Sequence, residues 1–511
     1  MQTPQPVVIS LYQAHKKLYP KSVHGLFARW RWAAVWFTQL LYYGLVWMPW
    51  GDRPAVLFDL GARKFHIFGL VLYPQDFIYL TVLLVISAYA LFFFTAIAGR
   101  LWCGYACPQT VYTEMFLWIE QKIEGDRSAR IRLDQSPWTP HKARVKLGKH
   151  ALWLALALWT GITFVGYFVP IRDLLLEILT LEIDGWSAFW VLFYSFATWG
   201  NAGFMREQVC KYMCPYARFQ SVMFDKDTLV VTYDPQRGEP RGARRKSERC
   251  APAPATPATA ATGATAAIGA TGATAATAAT VATPAIPATP ATAALQPAER
   301  RGDCIDCGVC VHVCPTGIDI RKGLQYECIG CAACIDGCNE VMEKVGLPRG
   351  LIRYSTENAI EGRVADKDIP VRMFRPRIIV YGVTLVAISA ALLVALNLRT
   401  PFKVDILRDR GSLARELAGG VIENSYRIQL INAAEHPVSY TLRASGLEAI
   451  EVFPAEIRVD AASTRLVAIA IHAPGDKVPA GSSKILLEIT AADPSGTVFE
   501  KTTFYGPRRA P

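Results

Sequence analysis

The chain has 511 residues, of which 52% are hydrophobic and 19% are charged, and its mean hydropathy is +0.21. It is too long for one ordinary domain and too apolar for an ordinary soluble enzyme. The net charge of +11 could indicate nucleic acid binding. However, the basic residues lie in blocks beside apolar runs, as in membrane proteins, so no nucleic acid partner is predicted. The thirteen cysteines are clustered, which favours metal ligation over a disulfide framework.

Five runs contain no Asp, Glu, Lys, Arg or His, and each is about as long as a helix that crosses ~30 Å of hydrocarbon. The runs are Ala33 to Gly51, Phe77 to Gly99, Ala151 to Ile171, Gly185 to Met205 and Ile378 to Leu398. We predict that all five span a membrane. Buried core helices of a soluble protein are the alternative, which such long charge-free runs disfavour.

Lys and Arg predict the orientation of these spans. They are abundant before the first run, between the second and third, and after the fourth, whereas residues 172–184 are acidic. The positive-inside rule therefore predicts a cytoplasmic N-terminus and a C-terminus on the far side, which is the periplasm in a Gram-negative bacterium. All thirteen cysteines then fall on the reducing, cytoplasmic side or its membrane edge.

A C-x3-C-P motif follows the second and the fourth run. The first contains Cys103 and Cys107, and the second contains Cys210 and Cys214. Residues i and i+4 share one face of a helix, and the proline is expected to end the turn. The four thiolates could hold Cu(I) or a further iron–sulfur cluster. Buried structural cysteines are the alternative, but the repetition at equivalent depth favours a redox or metal role.

Residues Ala251 to Ala298 are mostly Ala, Thr and Pro, with some Gly and no charge. Such a composition cannot supply a packed core, and the prolines and threonines oppose a long helix. We predict a disordered insertion. Cys250 stands alone at its edge and is predicted to be a spectator thiol.

Two cysteine runs with the C-x2-C-x2-C-x3-C spacing of bacterial ferredoxins follow the insertion. The first comprises Cys304, Cys307, Cys310 and Cys314, and the second comprises Cys328, Cys331, Cys334 and Cys338. This doubled spacing predicts an α+β domain with two [4Fe–4S] clusters that conducts electrons. Structural zinc and unligated thiols are the alternatives, and zinc sites rarely need eight cysteines at this spacing.

The spacing also predicts which cysteines share a cluster. Three closely spaced cysteines wrap around three corners of a cubane, and the fourth points away toward the other cluster. We therefore assign Cys304, Cys307, Cys310 and Cys338 to the first cluster. The second cluster takes Cys328, Cys331, Cys334 and Cys314.

Short alternating runs separated by turn residues extend from about Pro401 to Pro511. Strands at that spacing predict a small all-β sandwich. This tail contains no cysteine pair and no evident catalytic constellation, so we predict a docking or stabilising module.

The sequence resembles the CcoG/FixG/RdxA family of cytochrome c oxidase accessory proteins over nearly its whole length. The resemblance is carried by the segments Asp59 to Gly69, Gly99 to Glu114, Cys210 to Gln220 and Gly302 to Cys307. It implies a multi-domain protein of the bacterial inner membrane, with an α-helical transmembrane part, a cytoplasmic di-cluster ferredoxin domain, a last span and a periplasmic immunoglobulin-like domain. The Ala/Thr/Pro insertion departs from the family pattern.

The resemblance also implies a function, namely assembly of cbb3-type cytochrome oxidase by reduction of Cu(II) to Cu(I). Cys103, Cys107, Cys210 and Cys214 would then be catalytic. The implied partners are oxidase assembly factors or copper transporters and chaperones, while the electron donor and a homodimer are left open. A quinol-oxidising membrane ferredoxin and a non-catalytic assembly scaffold are the competing hypotheses.

These predictions divide the chain into eight parts. They are a cytoplasmic N-terminal segment (1–32), a four-span membrane domain (33–205), a basic linker (206–250), the insertion (251–298), the ferredoxin domain (299–345), a connector (346–377), a fifth span (378–398) and the immunoglobulin-like domain (399–511).

Overall fold

The computed structural model describes residues 17–243, 301–400, 402–408, 414–492 and 496–506. The predicted insertion and Cys250 lie outside these residues. Most of the described chain before the insertion is helical, because its long apolar runs are rich in residues that favour helices and contain few prolines. The helices of this part are α1 (Leu26–Leu45), α2 (Phe77–Ala98), α3 (Leu101–Tyr105), α4 (Pro108–Glu124), α5 (Arg127–Gln135), α6 (Pro140–Val165), α7 (Ile171–Thr180), α8 (Gly185–Gly200), α9 (Pro215–Met223) and α10 (Pro235–Gly238).

Shorter helices and one long helix follow the insertion. They are α11 (Val309–His312), α12 (Ala333–Lys344), α13 (Glu357–Ile360), α14 (Ile369–Arg372) and α15 (Pro376–Asn397). The last of these carries the fifth predicted span.

Each predicted span falls on a helix, although the boundaries differ. α6 starts eleven residues before the third charge-free run and carries basic residues in its first turns, and α8 ends at Gly200, where the chain widens into π-helical turns. Within the described ranges, two helical segments are long and apolar enough to cross a membrane, Pro74–Ala98 and Pro376–Asn397. The total of five spans stays a prediction.

Small sheets connect α1 to α2. The strands β1 (Pro49–Trp50) and β2 (Arg53–Pro54) form a hairpin. The strands β3 (Val56–Asp59), β4 (Lys64–Ile67) and β5 (Leu70–Leu72) form an antiparallel sheet. The first charge-free run therefore ends as a helix at Leu45 and enters a hairpin before Gly51.

The ferredoxin unit is larger than the sequence predicts. The strand β6 (Val230–Tyr233) pairs antiparallel with β7 (Ile352–Ser355), although these strands lie in the predicted linker and connector. Val231, Tyr233, Leu351 and Ile352 join Cys304, Cys310 and Cys338 in one buried core. The β-branched and aromatic residues of Val230–Tyr233 explain why this short segment forms a strand.

The chain segments that flank the insertion lie against each other. The Gly242 amide donates to the Cys304 carbonyl at 3.0 Å, and the Gly302 amide donates to the Pro240 carbonyl at 2.9 Å. A side chain at Gly302 would meet the Gly238 carbonyl oxygen at 2.3 Å, so only glycine permits this approach. We call this pairing the neck.

The C-terminal part is a sandwich of two antiparallel sheets. One has the order β12 (Glu451–Phe453), β14 (Thr464–Pro474), β10 (Val421–Asn432), β8 (Phe402–Arg408), with β9 (Arg415–Leu417) also paired to β10. The other has the order β13 (Glu456–Val459), β11 (Val438–Ser445), β15 (Gly481–Ala491), β16 (Gly496–Gly506). Alternate residues point into one apolar core, as the period of two predicts. An all-β sandwich is therefore confirmed.

Polar contacts join this sandwich to the segment between α1 and α2. Asp76 is 2% exposed and pairs with Arg399 and Lys403 at 2.5 Å. The Tyr73 hydroxyl donates to the Asn432 carbonyl at 3.0 Å. The end of α15 and the start of the sandwich are thereby fixed to the start of α2.

A carboxylate from the ferredoxin unit caps the first helix. The side chain of Asp336, on α12, accepts hydrogen bonds from the Phe27 amide at 3.3 Å and the Ala28 amide at 2.7 Å. These amides belong to the first turn of α1 and have no partner inside the helix. The negative charge also favours the positive end of the helix dipole.

We expect Asp336→Ala to weaken this docking by about 1 kcal/mol, as for the loss of a helix N-cap. The midpoint of thermal bleaching of the iron–sulfur absorbance should fall. Glu340→Ala is the matched control, because Glu340 lies one turn further along α12 and makes an exposed pair with Lys344. Equal midpoints for the two variants at equal iron content would show that the cap does not hold the units together.

Candidate iron–sulfur and thiol sites

Two small cavities inside the ferredoxin unit are lined with cysteine. The first is lined by Cys304, Cys307, Cys310 and Cys338, together with Tyr233, Arg321 and apolar side chains. Cys338 reaches it from α12, although its sequence run is the second one.

The second cavity has the reciprocal arrangement. It is lined by Cys328, Cys331 and Cys334 of the second run and by Cys314 of the first run. Cys310 lies between the two cavities and lines both. The structure thus brings the fourth cysteine of each run to the other run's cavity.

The chemistry of these cavities fits iron–sulfur clusters. The first offers four sulfurs, and the second offers four in addition to that of the shared Cys310, in an otherwise largely apolar setting. Four cysteine sulfurs are the ligand set of a [4Fe–4S] centre. Across the described ranges, no three His, Cys, Asp or Glu side chains converge as they would around a single metal ion. When bound, a cluster of this type supplies one-electron transfer.

Burial keeps the free thiols protonated. It raises the pKa of Cys328 and of Cys338 to about 12, and that of Cys334 well above its usual value. Ligation requires the thiolate, so cluster assembly at neutral pH must displace protons from these sulfurs.

The two C-x3-C-P motifs lie at breaks between helices. Cys103 is in α3, and Cys107 is the residue before α4. Cys210 is in a π-helical turn over Val209–Met213, and Cys214 is the residue before α9. Both turns end before the proline, as expected, and Pro108 and Pro215 begin the next helix, where a missing amide costs nothing. The expectation that both cysteines of a motif share one helical face is wrong, because Cys107 and Cys214 lie outside the turns that contain Cys103 and Cys210.

The structure places these four cysteines within electrostatic reach of one another, although no three of them converge as they would around a bound metal ion. Cys103 interacts electrostatically with Cys107 and Cys210, and Cys107 interacts with Cys214. Burial raises the pKa of Cys103 to about 12 and that of Cys210 to about 11. We call this group the thiol cluster, and it has the soft donors that Cu(I) and iron–sulfur centres share.

Backbone from the second ferredoxin run lies directly against the thiol cluster. A side chain on Gly104 would meet the Cα and amide nitrogen of Cys331 and the Ile329 carbonyl oxygen, each at 2.9 Å. On the opposite side of this contact, Gly330 adopts a positive φ of 67° and faces the backbone of Arg100. The two glycines permit an approach that any other residue would prevent.

Arg100 is the buried cation shared by both sites. It is 4% exposed, and its charge lowers the pKa of Cys103, Cys210 and Cys328 against the larger effect of burial. Its side chain donates to the Ala217 carbonyl of α9. No sequence motif predicted a role for Arg100, although its position as the first charge after the Phe77 to Gly99 run is a signal that could have identified it.

A buried ion pair positions the second motif relative to the first. Glu120, on α4, has no exposed surface and accepts from Arg206 at 2.7 Å, four residues before Cys210. Burial opposes the charge of Glu120, but Arg206 and Arg130 hold its pKa below the usual value. Gln109 also donates to the Arg206 carbonyl at 3.1 Å. These contacts were not predicted, because they depend on how α4 and the turn after α8 pack.

Family models match three parts of the chain. A 4Fe-4S dicluster domain matches residues 205–269 and 280–357, and a 4Fe-4S binding domain matches residues 80–125. The immunoglobulin-like fold at the C-terminus of FixG matches residues 392–507. The range 80–125 contains Cys103 and Cys107 and no other cysteine.

Curated relatives match over most of the chain. The nitrogen fixation protein FixG of Rhizobium meliloti is 35% identical over 472 residues, which cover 86% of this chain and 81% of FixG. Protein RdxA of Cereibacter sphaeroides is 34% identical over 521 residues, covering 98% and 99%. Protein RdxB of the same organism is 35% identical over 469 residues, covering 89% and 88%.

A crystal structure of a FixG-related protein from Vibrio parahaemolyticus is 22% identical, covers 21% of this chain and 98% of its own, and has a TM-score of 0.20. Three findings identify the family and the general role of the chain: sequence identity over nearly the full length of a relative, matches to iron–sulfur domain models, and two apolar helices long enough to cross a membrane. The chain belongs to the FixG/RdxA family and is a membrane-associated iron–sulfur redox protein.

Proposed function

We propose that this protein is a cupric reductase for the assembly of cbb3-type cytochrome oxidase. The two cysteine-lined cavities would hold iron–sulfur clusters as the one-electron source, and the thiol cluster would hold the copper ion that is converted from Cu(II) to Cu(I). The observation that carries the proposal is the contact of Gly104 with Cys331, because it joins a cysteine-rich electron carrier to four soft donors.

The copper step needs one electron per ion and breaks no covalent bond. Cu(II) gains the electron and stays on sulfur, since thiolate ligands favour the soft Cu(I) product. Cys103, Cys107, Cys210 and Cys214 would hold the ion, and the proton lost by each ligating thiol passes to solvent. The buried charge of Arg100 favours the thiolate form of Cys103 and Cys210.

In this proposal the ferredoxin unit holds two [4Fe–4S] clusters. Their ligands are the two cavity sets described above, with Cys338 and Cys314 exchanged between the runs. In this proposal the thiol cluster takes copper as substrate. The alternative, which the match of a 4Fe-4S binding domain to residues 80–125 leaves open, is a third cubane held by the same four sulfurs as a resident cofactor.

The proposed setting is the bacterial inner membrane with five spans. The ferredoxin unit lies on the cytoplasmic side and the sandwich on the periplasmic side, as the distribution of Lys and Arg indicates. Oxidase assembly factors, copper transporters or copper chaperones are the proposed partners, and a homodimer is compatible with this arrangement.

The number of clusters per chain can be measured from the content of iron and acid-labile sulfide in anaerobically purified protein. About eight irons per chain are expected from the ferredoxin pair alone, at about four per cubane. About twelve would place a third cubane at the thiol cluster. Fewer than about four would contradict the iron–sulfur assignment itself.

Cupric reduction can be tested directly. Protein reduced with dithionite and then freed of it should convert about two Cu(II) to Cu(I) per chain, one for each ferredoxin cluster. A chelator specific for Cu(I) gives the readout. Gly104→Ala should slow this step by roughly tenfold to a hundredfold, because the added Cβ forces the two sites apart.

Gly148→Ala is the matched control, since no atom lies within 4 Å of a Cβ at Gly148 in α6. It should reduce copper at the wild-type rate. Reduced wild-type protein that leaves Cu(II) unchanged would eliminate the reductase and favour a scaffold. A Gly104→Ala variant with full iron content and an unaltered rate would show that electrons do not cross this contact.

Cys314→Ser tests the exchange of ligands between the runs. The second cluster should lose its signal in electron paramagnetic resonance while the first is retained, because Cys314 lines the cavity of the second run. Cys250→Ser is the control with the same substitution and should leave both signals intact. Selective loss of the first cluster would reverse the assignment.

A further inference from the structure

A large cavity of about 980 Å³ separates α4 from the ferredoxin unit. One wall is the chain before and at the start of α1, and the opposite wall is one face of α4. Cys331 and Cys210 both reach its lining, so it touches the second cluster's loop and the thiol cluster. Its volume suits a ligand with a ring-sized head group.

The cavity lies at the depth of the predicted membrane interface. Trp32 directly precedes the first charge-free run, and its ring meets that of Trp118 edge-on at 6.5 Å. Both tryptophans line the cavity, and Trp118 is 49% exposed. Tryptophan pairs are typical of the boundary between lipid and water, so a lipid-soluble ligand can enter here.

The inner end of the cavity is polar. Arg31 lies 3.8 Å from Glu114 and donates to the Cys331 carbonyl at 2.8 Å. Its Nε is buried and has no hydrogen-bond partner among the described residues. The Arg31 side chain lines the cavity, so its guanidinium can donate a hydrogen bond to a ligand oxygen there.

The lining as a whole holds six Lys and Arg side chains and three Asp and Glu side chains, but three of the arginines face carboxylates. Arg31 faces Glu114, while Arg130 and Arg206 face Glu120. A neutral ligand with hydrogen-bonding oxygens fits the end where the arginines are paired, and an anionic nucleotide is the competing occupant. We propose that the cavity binds the head group of a membrane quinol, which is the electron donor.

The step balances in electrons and protons. The quinol loses two electrons and two protons and leaves as the quinone. The clusters that the two cysteine-lined cavities would hold would each accept one electron, while one proton would go to the Glu114 carboxylate and the other to water. This inference rests on the proposed function for the fate of the electrons, whereas binding of the quinone does not depend on copper.

Binding of decylubiquinone to the purified full-length protein, measured by isothermal titration calorimetry, tests the site. Leu117→Trp places bulk inside the cavity and should weaken binding by about tenfold or more. Glu114→Gln, which keeps the shape, should slow bleaching of the cluster absorbance by decylubiquinol but not by dithionite. Leu147→Trp is the control, because Leu147 is 72% exposed on α6.

Wild-type affinity in an iron-replete Leu117→Trp variant would overturn the inference, as would the failure of wild-type protein to bind decylubiquinone. Tight binding of flavin mononucleotide in its place would assign the cavity to an anionic nucleotide. If dithionite-reduced protein still reduces copper in these cases, the proposed function survives and the donor site alone is wrong. If the protein binds decylubiquinone but does not reduce copper, the donor site survives and the proposed cupric reductase function is wrong.

Discussion

The arrangement of the redox sites depends on one backbone contact, between Gly104 and the loop of Ile329 and Cys331. The contact requires glycine at position 104 in one segment and, in the other, Gly330 with its backbone in the left-handed region. Without it the ferredoxin unit and the thiol cluster would be separate sites. Asp336 of α12 caps α1, and Arg31 donates to the Cys331 carbonyl. The same surface that aligns the cysteines therefore also attaches the ferredoxin unit to the preceding helices.

Buried charge has a second organising role. Glu120 ties α4, α5 and the turn before Cys210 together through arginines. Such a network is expensive to desolvate and is stable only when every partner is present. It therefore fixes geometry more than it adds stability, and the geometry it fixes is the relative position of two cysteine motifs that lie about a hundred residues apart in the sequence.

The sequence predicted those parts of the fold that depend on residues close together in the chain, such as strand alternation and cysteine spacing. The alternation in Tyr426 to Leu430 indicated a strand, and the cysteine spacing indicated a ferredoxin unit, whose family is now shown. The ligand sets and the five spans stay predictions. The pairing of β6 with β7, the role of Arg100 and the ion pair of Glu120 with Arg206 were missed, because each depends on segments that meet only after the chain has folded.

The neck makes the position between its two paired segments tolerant of inserted residues. Its paired backbone at Gly242 and Cys304 fixes the spacing of the flanking segments, whatever length of chain runs between them. The entropy of closing a loop grows only slowly with its length. Extra residues could thus accumulate here at little thermodynamic expense, and the same location offers an engineer a tolerant point for grafting a fluorescent reporter next to the cubane-binding unit.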